Sequence, residues 1–143
     1  MAMNKTPELE TTLGLNWPSE QKALYNFFQV LTRTTRARPG TTTAILERPG
    51  VSYSFRGAIQ PPGRARPVYL LLDVIVSSTE PWFLSVCFYQ DEITDPEGRG
   101  NPVPGGLFGE TGYCFDVETP DGDTLDYLLT RLDEAHAAAS GLT

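Results

Sequence analysis

Between residues 23 and 31 the apolar positions recur at the three-and-four spacing of a helix. Ala23, Leu24, Phe27, Phe28 and Leu31 fall on one face. Asn16 or Ser19 can cap this helix and Pro18 suits its first turn, while Arg38-Pro39-Gly40 is a breaker, so the helix should stop near Arg33. Residues 1–16 carry no usable period and read as a loose lead-in. A second helical stripe closes the chain. Leu125, Leu128, Leu129, Leu132 and Ala135 line its buried side, with Asp123 as the expected N-cap and Gly141 as the C-cap.

Between the helices the period changes to two. Residues 41–47 are rich in strand formers, Pro49-Gly50 marks a turn, and Val51, Tyr53 and Phe55 alternate with Ser52, Ser54 and Arg56. A Pro/Gly/Arg connection over 60–67 leads into VYLLLDVIV, whose near-continuous apolar run predicts a central strand covered on both faces. In WFLSVCFYQ, Phe83, Ser85, Cys87 and Tyr89 share one face and Leu84, Val86 and Phe88 the other. YCFDVE forms a last short strand. Residues 91–112 have no period, and seven glycines and prolines crowd between Gly98 and Gly109. A connection this long is usually functional. The order predicts an α+β fold: a single antiparallel meander sheet of four to five strands, with an N-terminal and a C-terminal helix packed on one face. Residues 17–143 form one domain.

Composition narrows the partners. The 143 residues include 18 acids against 11 Lys and Arg, a formal charge of −7. That balance argues against nucleic acid and anionic membrane, both of which call for a basic face. No apolar run approaches the ~20 residues of a membrane helix, and the polar N-terminus has no signal-peptide core. Cys87 and Cys114 lack close-spaced partners and read as reduced, buried thiols, so a cytoplasmic protein is expected.

No cofactor or metal signature emerges. The acids of DEITDPEG miss the alternating ligand spacing of a calcium loop, and the glycines of NPVPGGLFGETG do not link a strand to a helix as a phosphate cradle does. Cys87 is a candidate nucleophile only if the one histidine, His136, comes near it. The leading expectation is a binding or interaction domain, monomeric or homodimeric, whose partner is a small molecule or a protein. Its functional element is the 91–112 loop, held by a rigid scaffold. Arg56, Arg64, Leu107, Phe108 and Glu110 are the candidate binding residues: two bidentate cations, an apolar tip that docks the loop, and an acidic rim. The alternative is a small enzyme with a pocket between sheet and loop, using Asp91, Asp95 or Asp116 as acid/base groups and Arg56 as an anion clamp.

The strings RPVYLLLDVI, WFLSVCFY, ITDP and GGLFGETGYCFDVE, followed by an amphipathic helix, resemble a bacterial conserved-hypothetical family. Their layout over residues 45–139 is similar to the small α+β domains of the YdhG-like and YjbR-like groups. The resemblance is one of element order and strand texture. It implies the fold class and transfers no functional residue.

Overall fold

A computed structural model describes residues 6–59 and 64–141. Three helices, α1 (Thr6–Asn16), α2 (Lys22–Arg36) and α3 (Gly122–Ser140), accompany six strands. These are β1 (Thr41–Arg48), β2 (Ser52–Ile59), β3 (Leu70–Ile75), β4 (Phe83–Tyr89), β5 (Asn101–Leu107) and β6 (Glu110–Val117). They form one antiparallel sheet in the order β1-β2-β3-β4-β6-β5. The fold is α+β as expected, but with six strands in place of four to five, and the meander breaks at its end, where β6 and not β5 pairs with β4. The extra strand, β5, lies inside the segment read as structureless. Its Pro102 and Pro104 lack the N–H that a ladder uses, which erased the strand signal from the sequence. Both prolines sit on the outer edge of the sheet, where that loss is tolerated.

The lead-in is likewise helical from Thr6. Leu13 is fully buried and Leu9 packs on the core, while Ile45 N donates to Thr6 Oγ1 at 3.1 Å across the free edge of β1. Arg36 reaches Glu10 through both guanidinium nitrogens, at 2.9 and 2.6 Å. Tertiary contacts of this kind hold a helix that has no amphipathic period of its own. Neither Asn16 nor Ser19 caps α2. A 3-10 turn over Ser19–Gln21 precedes it, and the Gln21 side chain bonds both backbone groups of Trp82, at 2.8 and 2.9 Å. The buried face of α2 runs on through Thr32 and Thr35, whose hydroxyls donate to Gln29 O and Leu31 O, whereas Ala23 is exposed. On α3 the N-cap is Asp121 and not Asp123: its Oδ1 accepts from Thr124 N at 2.7 Å. Gly141, at φ 73°, closes the C-terminus as expected.

Register sorts the strand residues into rows. Ile45, Phe55, Leu72, Val86 and Phe115 lie opposite one another across five strands, all buried, and share one cluster with Leu24, Phe28 and Leu31 of α2 and Leu128 and Leu132 of α3. One residue along, the row on the other side of the sheet reads Leu46, Ser54, Asp73, Ser85, Asp116. The next row on that side reads Ala44, Arg56, Leu71, Cys87, Cys114, Asn101. The alternation foreseen for β4 is therefore present.

The cysteines overturn the expectation of free thiols. Cys87 and Cys114 are directly paired across β4 and β6, with Cα atoms 4.2 Å apart, and form a disulfide. Sequence spacing hid this, because antiparallel pairing brings side chains 27 positions apart to one point. A sulfur held in a disulfide is no thiolate, so Cys87 cannot be the nucleophile in this state. The inference of a reducing compartment loses its support with it.

Candidate binding face at the hairpin tip

The turn between β5 and β6 has two central residues, Phe108 and Gly109, with Leu107 paired to Glu110. Both are left-handed, at φ 51° and 83°. A two-residue hairpin turn of the primed type requires this, and Asn-Gly or Gly-Gly satisfies it without strain. Phenylalanine in the left-handed region is disfavoured by about 1–2 kcal/mol. Of the two apolar residues at the tip, only Leu107 is buried. Leu107 is 1% exposed and packs with Val68, Tyr89 and Leu71, whereas Phe108 is 50% exposed and lies with its ring centroid 5.5 Å from the Arg56 guanidinium carbon. The expectation that both residues dock is thus corrected for Phe108.

Beside the tip, an ion cluster fastens three chain segments. Arg66 meets Asp91 at 2.7 Å, Glu92 at 2.9 Å and Glu110 at 2.7 Å, and Arg64 meets Glu92 at 2.9 Å. The Arg66 guanidinium carbon sits 4.3 Å from the centroid of the Tyr89 ring. Hydrogen bonds from Arg66 hold the Asp91 and Glu110 carboxyls below the ordinary carboxylate range, and burial pushes the Tyr89 phenol up. Arg64 and Glu110 are thereby committed to this lock between the β2–β3 connection, the turn after β4 and the start of β6. Residues 60–63 of that connection lie outside the described residues.

Asp95 anchors the rest of the 91–100 segment. One carboxylate oxygen accepts from Arg99 N at 3.0 Å and from the Tyr127 hydroxyl, the other from Gly100 N at 2.9 Å and the Tyr113 hydroxyl at 2.6 Å. Burial works against the charge, but these four donors outweigh it and hold the carboxyl far below its usual value. A carboxylate bonded in this way is a structural fastener, and it lines a pocket of about 290 Å³ with Gln90, Ile93, Thr94 and Tyr113. Asp116 is exposed at the end of the polar row. His136 bonds Pro39 O at 2.9 Å and packs edge-on against Tyr69, so it serves the core.

Set against family models, curated proteins and solved structures, the chain matches none of them. The chemistry must be read from the site. Of the candidate residues, Arg56, Leu107 and Phe108 come together at the tip, and Arg64, Glu110 and Asp91 sit behind it in the ion cluster. Asp95 and Asp116 lie apart from them, in the loop anchor and the far row. One residue was missed. Asp73, read from the sequence only as an interruption of an apolar run, stands in the middle of the sheet with its Oδ1 buried and without a hydrogen-bond partner. An acid inside a central-strand pattern was the available signal. Ser52 Oγ, on the same side of the sheet, is buried and unpartnered as well. Among the described residues no helix is long and apolar enough to cross a membrane, and no group of three or more His, Cys, Asp or Glu could hold a metal ion.

Proposed function

We propose that this chain is a binding domain whose recognition element is the 91–112 segment, folded as the β5–β6 hairpin and presented by the sheet. Phe108 carries the reading. Its backbone is strained, and half of its surface stays in water, so the fold gains little from it. What it supplies is an aromatic surface on a rigid support with an arginine beneath it. Tyr, Trp and Arg are the residues enriched where binding energy concentrates, and Phe is enriched in interface cores. Leu107, the Arg66 cluster and the Asp95 anchor fix that support, so little conformational entropy is lost on binding.

The test is Phe108→Asn. Relief of the left-handed strain should raise stability by about 1 kcal/mol, and any ligand-induced shift in melting temperature should shrink. A loss of stability larger than about 1 kcal/mol would make Phe108 a structural residue and end the proposal. The screen behind this test is thermal shift across small metabolites. A stabilising small ion assigns the site to a small molecule, and silence across the panel assigns it to a protein partner.

A further inference from the structure

We propose that the side of the sheet beneath Phe108 binds a small zwitterion, its carboxylate on Arg56 and its ammonium on Asp73. The inference rests on the hairpin reading only in using Phe108 as the cover. Arg56 lies opposite Leu71, and Asp73 is two residues further along the same strand. The two charged residues are thus diagonal neighbours on one face, about 7–8 Å apart, within reach of a common ligand. They do not pair with each other. Six of the nine arginines, namely Arg36, Arg38, Arg64, Arg66, Arg99 and Arg131, hold a carboxylate. Arg33 and Arg48 are exposed. Among the described residues, Arg56 alone is half-buried without an acid, in a chain where acids outnumber Lys and Arg by 18 to 11. Its Nε is turned to Ser54 Oγ at 3.4 Å, and no acceptor among the described residues takes its two terminal nitrogens.

Asp73 is the complementary case. It is half-buried, makes no hydrogen bond among the described residues, and keeps one oxygen out of water without a partner. Unpaired charges are rarely retained at such depth, since burial penalises them unless a partner arrives. A guanidinium fork receives a carboxylate through two parallel hydrogen bonds, and a lone carboxylate receives an ammonium. Leu71 between them and the Phe108 ring above favour an apolar body on the ligand. An α-amino acid and a short peptide both present this chemistry.

The experiment is calorimetric titration of the full chain with L-phenylalanine, the dipeptide Phe-Phe, 3-phenylpropanoate and 2-phenylethylamine. At least one zwitterion should bind tenfold or more tightly than either single-charge control, a difference of about 1.4 kcal/mol. Arg56→Met should bring that ligand to the level of the amine, and Asp73→Asn to the level of the acid. Arg56→Lys, which keeps the charge but not the fork, should fall between parent and Met. Thermal melts of each variant check folding. Equal binding of 3-phenylpropanoate that Asp73→Asn leaves unchanged overturns the proposal, as does the absence of heat from both zwitterions at about 10 mM. If the charge variants abolish binding and Phe108→Asn does not, the zwitterion site stands and the hairpin reading fails. If a screened ligand needs Phe108 and neither charge, the hairpin reading stands and the zwitterion is overturned.

Discussion

Moving one residue along β2, from Phe55 to Ser54, crosses from one chemistry to another. The Phe55 row is apolar in all five strands and sealed by residues of α2 and α3, whereas the Ser54 row holds two hydroxyls and two carboxylates. The same backbone ladder serves both. A strand alternates its side chains, so a sheet can commit one side to stability and leave the other for recognition. On the first side each buried group has apolar neighbours. On the second, Arg56, Asp73 and Ser52 Oγ lie half-buried or buried without the partners that burial calls for. Burial alone therefore does not mark a core here: buried polar atoms without partners concentrate on the second side, with Arg38 Nε the exception beside α3.

The largest loss of stability is expected on the helix side. Leu128→Ala removes a side chain that is 1% exposed within the main cluster, and unfolding free energy should fall by about 2–5 kcal/mol in a denaturant titration. A loss below about 0.5 kcal/mol would place the leucine stripe on the wrong side of α3. The disulfide comes next. It joins the two sides' common strands and closes a loop of 27 residues, so its removal by Cys87→Ser with Cys114→Ser should cost about 2–4 kcal/mol. A thiol count in denaturant without reductant should be zero. Two thiols would contradict the pairing.

How much of this was legible follows from where the information sits. The face of α2, the alternation in β4 and the cap at Gly141 are local, and periodicity or a single glycine reported them. The helicity of residues 6–16 depends on Glu10 meeting Arg36 and on Leu13 finding the core, which no local pattern encodes. β5 was masked by its own prolines. The disulfide required the register of β4 against β6, and the roles of Asp91, Asp95 and Glu110 required their partners. Arg64 looked like a ligand clamp because the sequence cannot show that Glu92 already holds it. Candidate residues were found by type, and their availability could be judged only from contacts.

A smaller effect belongs to the Asp95 anchor, which lies apart from both rows. Asp95→Asn converts an acceptor of four hydrogen bonds into a group that repels some of them, and should destabilise by about 1–3 kcal/mol. Its pH dependence has a defined sign. The folded-state carboxyl is depressed, so its stabilisation is complete above the unfolded value near pH 4 and is lost as pH falls through the folded one. Melting temperatures of the parent and of Asp95→Asn should therefore converge on acidification below about pH 4. Parallel acid limbs would mean that the four bonds do not depend on the charge.

The smallest expected effect discriminates most sharply between the two sides. Asp73→Asn keeps the shape of a half-buried side chain and removes a carboxylate that has no hydrogen-bond or ion-pair partner among the described residues. On the helix side any comparable change in polarity is destabilising, because it disturbs packing. Here the carboxylate has no hydrogen bond to lose among the described residues. The change in unfolding free energy should lie within about 0.5 kcal/mol of zero or be stabilising, and it should be the same at low and high salt. Groups kept for binding are commonly retained at the expense of stability, so a neutral or stabilising result at the centre of a sheet would mark Asp73 as one of them. A loss above about 1 kcal/mol would show that the carboxylate is a structural member of the far row. The two sides would then differ in polarity alone, and the comparison would no longer single out a site.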